Sequence, residues 1–132
     1  MNAKILIIDD DEGVRYTFKK LLSNDHHEVS TAENFDEAMR YIASIDFDVI
    51  FADIILKGKS GLEVLRMVKE KNINCPVIMI TGYPSDDTAA ESNRLGAFDY
   101  IQKPISKDTI FSAINLAIQH KTMVDEKKKF QK

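Results

Sequence analysis

The sequence predicts an α/β fold: one doubly wound parallel sheet of five strands with helices on both faces. Three observations predict it. Short uncharged runs rich in β-branched residues alternate five times with amphipathic stretches. Two of those runs, Ile5 to Ile8 and Val49 to Ala52, lead straight into aspartate. No internal repeat or low-complexity segment interrupts the order, so right-handed crossovers account for every connection.

The first strand spans Lys4 to Ile8, and its unbroken apolar run suits a strand buried on both faces. Asp9, Asp10 and Asp11 follow, the last placed to cap a helix whose one face carries Val14, Phe18, Leu21 and Leu22. A polar turn with His26 and His27, both read as solvated, leads to a strand from Glu28 to Thr31. The next helix shows Phe35, Ala38, Met39 and Ile42. The third strand, Asp48 to Ala52, runs into Asp53. Ser60 opens a helix bearing Gly61, Val64, Leu65 and Val68, and Glu63 three residues on makes a capping box. Cys75 reads as a buried small residue before the fourth strand, Pro76 to Ile80, which ends in Thr81 and Gly82. The fourth helix, Ser85 to Arg94, has only Ala89 and Ala90 as apolar anchors and is expected to move easily. Ala97 to Ile101 is the fifth strand. The fifth helix carries Ile110, Ala113, Ile114, Ala117 and Lys121 after Ser106 as cap, with His120 solvated near its end. Residues 1–122 form one domain, and 123–132 read as a charged tail, the start of a linker or a frayed helical extension.

Composition narrows the function. The 132 residues, 44% apolar, are enough for one real core. A net charge of −3, with Lys and Arg scattered, leaves no basic stripe for nucleic acid. A single cysteine forms no internal disulfide, and no run approaches the roughly 20 apolar residues of a membrane span. A cytoplasmic domain is expected.

Chemistry concentrates where strands end, the edge at which open α/β sheets bind ligands. The first strand delivers Asp9 and Asp10, the third Asp53, the fourth Thr81 and Gly82, the fifth Lys103 and Pro104. Converging carboxylates repel one another unless a cation neutralises them, and hard oxygen ligands suit Mg²⁺.

In order and spacing, Ile7-Ile8-Asp9-Asp10, Ala52-Asp53 with Gly61 eight residues on, Ile80-Thr81-Gly82 and Tyr100-Ile101-Gln102-Lys103-Pro104 resemble the receiver domain of two-component response regulators, over roughly residues 3 to 121. The resemblance implies a flavodoxin-like sheet with strand order 2-1-3-4-5. It implies that Asp53 is the phosphoacceptor and that Asp9, Asp10, Asp53 and the backbone carbonyl of Ile55 hold Mg²⁺, with Asp9 acting through water or by steering its partner. Thr81, the Gly82 amide and Lys103 would bind the phosphoryl group, Tyr100 would turn inward when Thr81 moves, and Pro104 is a candidate for a cis peptide. It implies a sensor histidine kinase or histidine phosphotransfer protein as donor, recognised near Val14, Arg15 and Phe18. A downstream protein or output domain would read the face carrying Asp86, Arg94, Tyr100 and Phe111, and a phosphorylation-dependent homodimer is a further partner. No contact with nucleic acid or membrane is implied, nor any enzymatic activity beyond the domain's own phosphorylation and dephosphorylation. The family usually has Pro four residues after the acceptor, where this chain has Lys57. Ile55 and Tyr83 would partly shield the acyl phosphate from water.

Rival readings fit less well. A haloacid-dehalogenase-type phosphatase needs a second acid two residues after the nucleophile, where Ile55 stands. An FMN-binding flavodoxin needs a Ser/Thr-rich phosphate loop after the first strand, where three acids stand. Gly58-Lys59-Ser60 imitates the end of a P-loop but lacks the earlier glycine, since Asp53 occupies that place. A receiver-like module that interacts without phosphorylation would not need the complete set of site residues.

Overall fold

The computed structural model describes residues 2–130. Its elements are β1 (Lys4–Ile8), α1 (Glu12–Asn24), β2 (Glu28–Ala32), α2 (Phe35–Ser44), β3 (Val49–Asp53), α3 (Gly61–Glu70), β4 (Val77–Thr81), α4 (Asp86–Arg94), β5 (Asp99–Gln102) and α5 (Lys107–Phe130). All strand pairs are parallel, in the order β2-β1-β3-β4-β5, a flavodoxin-like arrangement. No helix among the described residues is long and apolar enough to cross a membrane.

Alternation along the central strands divides the core in two. Leu6, Ile8, Ile50, Ala52 and Met79 face α2 and α3, meeting Ala38, Val64, Leu65 and Val68. Ile5, Ile7, Val49, Phe51, Ile78 and Ile80 face α1 and α5, meeting Phe18, Leu22, Ile110, Ala113, Ile114 and Ala117. Every residue of β3 and β4 is buried, which explains their uninterrupted apolar sequences. Both end one residue later than expected, so Asp53 and Thr81 are the last residues of their strands rather than the first of loops. Asp48, expected to open β3, instead accepts the Lys4 amide on its carboxylate at 2.8 Å. β5 is shorter than expected, beginning at Asp99.

The helix starts follow the capping residues. Asp11 accepts the amides of Gly13 and Val14, Asn34 that of Glu37, Ser85 that of Thr88 and Ser106 that of Thr109. Ser60 caps α3 by accepting the Leu62 amide. The expected capping box is only half made, because the Glu63 carboxylate turns to the Arg66 guanidinium at 2.9 Å.

Three expectations need correction. Phe18 is 5% exposed and packs on Phe51 with ring centroids 5.4 Å apart, so it belongs to the core and presents no free recognition surface. His27 is not solvated: its Nδ1 accepts the Ala3 amide at 3.1 Å and its Nε2 lies 3.3 Å from Asp25. His120 is exposed, as expected, with its ring tilted beside that of Phe98 at 5.3 Å between centroids. Ala90 is exposed and anchors nothing; the buried residue of α4 is Ser92.

Residues 123–130 continue α5 as helix, and residues 131–132 of the expected tail lie outside the described residues. Asp125 holds this extension to the domain, accepting from Asn74 at 2.6 Å and from Lys121 at 3.4 Å. Cys75 is buried, and that burial pushes its thiol pKa up to about 12.

Candidate functional site

Register brings the acids together. Ile8 pairs with Ala52 across β1 and β3, so Asp9 and Asp53 leave the sheet side by side, with Asp53 paired to Ile80 on the next strand. Asp9 is fully buried and Asp53 6% exposed, while Asp10 is half-buried beside them. Each of the three offers a carboxylate oxygen within 4.8 Å of the others. Hard oxygen donors at this spacing fit a small divalent cation such as Mg²⁺.

Lys103, delivered by β5 on the far side, ties two of them. Its ammonium donates to Asp9 Oδ2 at 2.6 Å and to Asp53 Oδ2 at 2.8 Å. The remaining oxygens take backbone donors: the Asp11 amide bonds Asp9 Oδ1 at 2.9 Å and the Ile55 amide bonds Asp53 Oδ1 at 3.1 Å. Burial raises the pKa of Asp9, with Asp53's charge adding to it, against the opposing pull of the Lys103 and Asp11 hydrogen bonds. Burial works against the charge on Lys103, but the hydrogen bonds to Asp53 and Asp9 outweigh it and raise its pKa. Asp10 has no cation partner within ion-pair distance among the described residues, and Asp9 and Asp53 share one ammonium between them, so the cluster has more carboxylates than cations.

These groups line a cleft of about 400 Å³ that also admits Gly82 and Tyr83. A side chain added at Gly82 would meet nothing within 4 Å, so packing does not require glycine there. Thr81 is 1% exposed and its hydroxyl accepts the Tyr83 amide at 3.0 Å. Ile55 and Tyr83, 53% and 79% exposed, stand at the mouth. The Lys103–Pro104 peptide is cis. The Tyr100 hydroxyl lies at the head of α4, accepting from the Ser85 amide at 3.2 Å and sharing a 2.7 Å hydrogen bond with Thr88.

Sequence reading missed three supporting residues. Arg15, taken as a recognition residue, donates to the Asp9 carbonyl at 2.8 Å and so braces the acidic loop. Thr88 is the partner of Tyr100, and Ser60 bonds the carbonyl of Ile54 at 3.1 Å. None of these contacts carried a readable signal, since two of the three partners are backbone carbonyls.

Comparison with known proteins supports the fold and gives the family. The family described as the response regulator receiver domain matches residues 5–115. The DNA-binding transcriptional regulator NtrC of Salmonella typhimurium is 32% identical over 116 residues, covering 88% of this chain and 25% of that protein, so the chain spans about a quarter of this relative's length. A response regulator receiver domain protein from Clostridium thermocellum superposes with TM-score 0.86 at 35% identity, over 92% of this chain and 98% of that one. The beryllofluoride-activated NtrC4 receiver domain dimer gives TM-score 0.84 at 28% identity, over 89% and 98%. With its strand order, its clustered acids and this match over most of its length, the chain belongs to the response regulator receiver domain family of two-component systems.

Proposed function

We propose that this domain is a phosphorylation-activated switch that takes a phosphoryl group on Asp53 from a phosphohistidine of a sensor kinase or phosphotransfer protein. The observation that carries the reading is the bridge from Lys103 to both Asp9 and Asp53, at the edge of a cleft where three carboxylates converge. An Asp53 oxygen attacks phosphorus, the P–N bond breaks, the imidazole leaves and takes up a proton, and an acyl phosphate remains. Such transfers depend on positioning and on neutralising the phosphoryl oxygens more than on covalent assistance. Lys103 supplies one cation for that purpose. Asp9, Asp10, Asp53 and the Ile55 carbonyl would hold Mg²⁺, which would supply further charge neutralisation when bound. The Thr81 hydroxyl and the Gly82 amide would bond the remaining oxygens.

The donor would dock over an adjoining groove of about 600 Å³ between α1 and the β5–α5 turn, lined by Val14, Thr17, Phe18, Pro104, Ile105 and Ile110 and by Lys103 itself. Phe18 forms its buried floor, and Val14 is half exposed. Downstream, the face of α4, β5 and α5 with exposed Asp86 and Arg94 and half-buried Tyr100 and Phe111 would contact an output domain, a partner protein or a second copy. That Asp53 accepts phosphate is tested by intact mass after incubation with acetyl phosphate and Mg²⁺. A single adduct, absent in Asp53→Asn and without metal, is expected. A folded protein that binds Mg²⁺ but takes no adduct would establish a phosphorylation-independent module instead.

A further inference from the structure

We infer that Ser60 is a positioning residue for the phosphoacceptor strand, acting through the carbonyl of Ile54. The inference rests on the Mg²⁺-dependent phosphoacceptor reading above. Its hydroxyl sits in two bonds at once: it donates to Ile54 O at 3.1 Å and accepts the Leu62 amide at 3.2 Å. The Gly61 amide donates to the same Ile54 carbonyl at 2.8 Å. The first turn of α3 thus grips one peptide oxygen with two donors.

That peptide lies between the two groups that matter most. Ile54 follows Asp53 and precedes Ile55, whose amide holds Asp53 Oδ1 and whose carbonyl is the proposed backbone ligand. On its other side Ile54 N–H donates to Ile80 O on β4 at 2.9 Å. Residue 54 is therefore fastened from two directions, and the torsions that aim the Asp53 carboxylate and the Ile55 carbonyl are fixed around it. The contact requires glycine at 61: a Cβ there would fall 1.8 Å from Asp53 O and 2.8 Å from Asp53 C, both backbone atoms that cannot rotate away. Gly61 lets the helix approach, and Ser60 uses the approach. With Lys57 in the loop and Gly58 at φ 87°, the segment between Asp53 and Ser60 has no proline to stiffen it, so the grip falls to the helix start.

An ordinary N-cap explains only the bond from Leu62. The two roles separate in a set of three variants. Ser60→Ala removes both bonds, Ser60→Thr keeps the hydroxyl, and Asn34→Ala removes the cap of α2, whose side chain bonds only its own helix. Metal binding is read by electron paramagnetic resonance with Mn²⁺ and by Mg²⁺ competition, phosphoryl uptake by intact mass, and folding by urea denaturation. Ser60→Ala is expected to weaken Mn²⁺ binding about tenfold and to slow uptake, as loss of an outer-shell support does, with Ser60→Thr close to wild type. Asn34→Ala is expected to lose comparable stability but no affinity. Equal Mn²⁺ affinity in Ser60→Ala and wild type, or an equal loss in Asn34→Ala, overturns the inference. Wild type that binds no Mn²⁺ overturns instead the reading on which it rests, and the inference with it.

Discussion

Lys103 Nζ lies 2.8 Å from Asp53 Oδ2 although 50 residues separate them, and the same ammonium lies 2.6 Å from Asp9. One lysine therefore pairs with both the fully buried acid and Asp53, the proposed phosphoacceptor. Lys103→Met leaves the Asp9 carboxylate buried with backbone donors alone. It is expected to cost about 1 to 3 kcal/mol in urea denaturation, below the range of fully buried pairs because the lysine is partly exposed. Phosphoryl uptake from acetyl phosphate falls by roughly 100-fold or more. Unchanged uptake would remove Lys103 from the chemistry.

Asp10 carries the charge that Lys103 does not reach. Without metal, Asp10→Asn relieves repulsion with Asp9 and Asp53 and is expected to match or exceed wild type in melting temperature. With Mg²⁺ the order reverses: at about 100 times the dissociation constant, mass action adds about 2.7 kcal/mol to wild type. The variant gains little. Scanning calorimetry with and without Mg²⁺ reads both signs, and an equal Mg²⁺ response in the two proteins would place the ion elsewhere.

The Tyr100 hydroxyl joins β5 to the head of α4 through Ser85 and Thr88. Tyr100→Phe keeps the ring and deletes that latch, at a cost of about 1 kcal/mol. Amide exchange at Ser85 to Thr88 is expected to quicken while that of β3 and β4 stays slow. Uniform acceleration across the domain would mean that the hydroxyl supports the whole fold rather than one helix.

Asp125 ties the extension of α5 to the domain, and hydrogen bonds from Asn74 and the charge of Lys121 hold its pKa below the ordinary 3.8. A carboxyl depressed in the fold contributes stability that is present above its unfolded value and lost as pH falls through its folded value. Helical carbon chemical shifts of residues 122–128 are expected to hold at neutral pH and to decline below about pH 4. In Asp125→Asn they should show no such pH dependence. A decline of equal size in the variant would assign the effect to other acids.

Much of this was legible in the sequence because burial on both faces leaves little freedom: β1, β3 and β4 are continuous apolar runs, and register then fixes which acids meet. The strand ends slipped by one residue at Asp53 and Thr81 because ladder pairing to the neighbouring strand, not composition, decides where a strand stops. Phe18 looked like a recognition residue because a helix face beside a site is buried or exposed according to what covers it, here Phe51 and the α5 face. His27 was missed because its partner is the backbone of Ala3, 24 residues away, and a backbone partner leaves no mark in sequence. The same holds for Ser60, whose cap was readable and whose bond to Ile54 was not.

The helix α4, the proposed output surface, is attached differently from the helices around it. In α4 the buried residue is a serine, and polar contacts tie the helix to its neighbours: the Tyr100 hydroxyl of β5 at its head and the Arg66 guanidinium of α3 at Glu91. In the proposed switch, moving such a helix would uncover little apolar area, so the transition is expected to carry little heat-capacity change and little sensitivity to urea. It is expected to respond instead to salt, which screens the Arg66–Glu91 pair. Calorimetric melting and the proposed switching would thereby be different observables of one molecule, with α4 displaced while the sheet beneath keeps its resistance to unfolding.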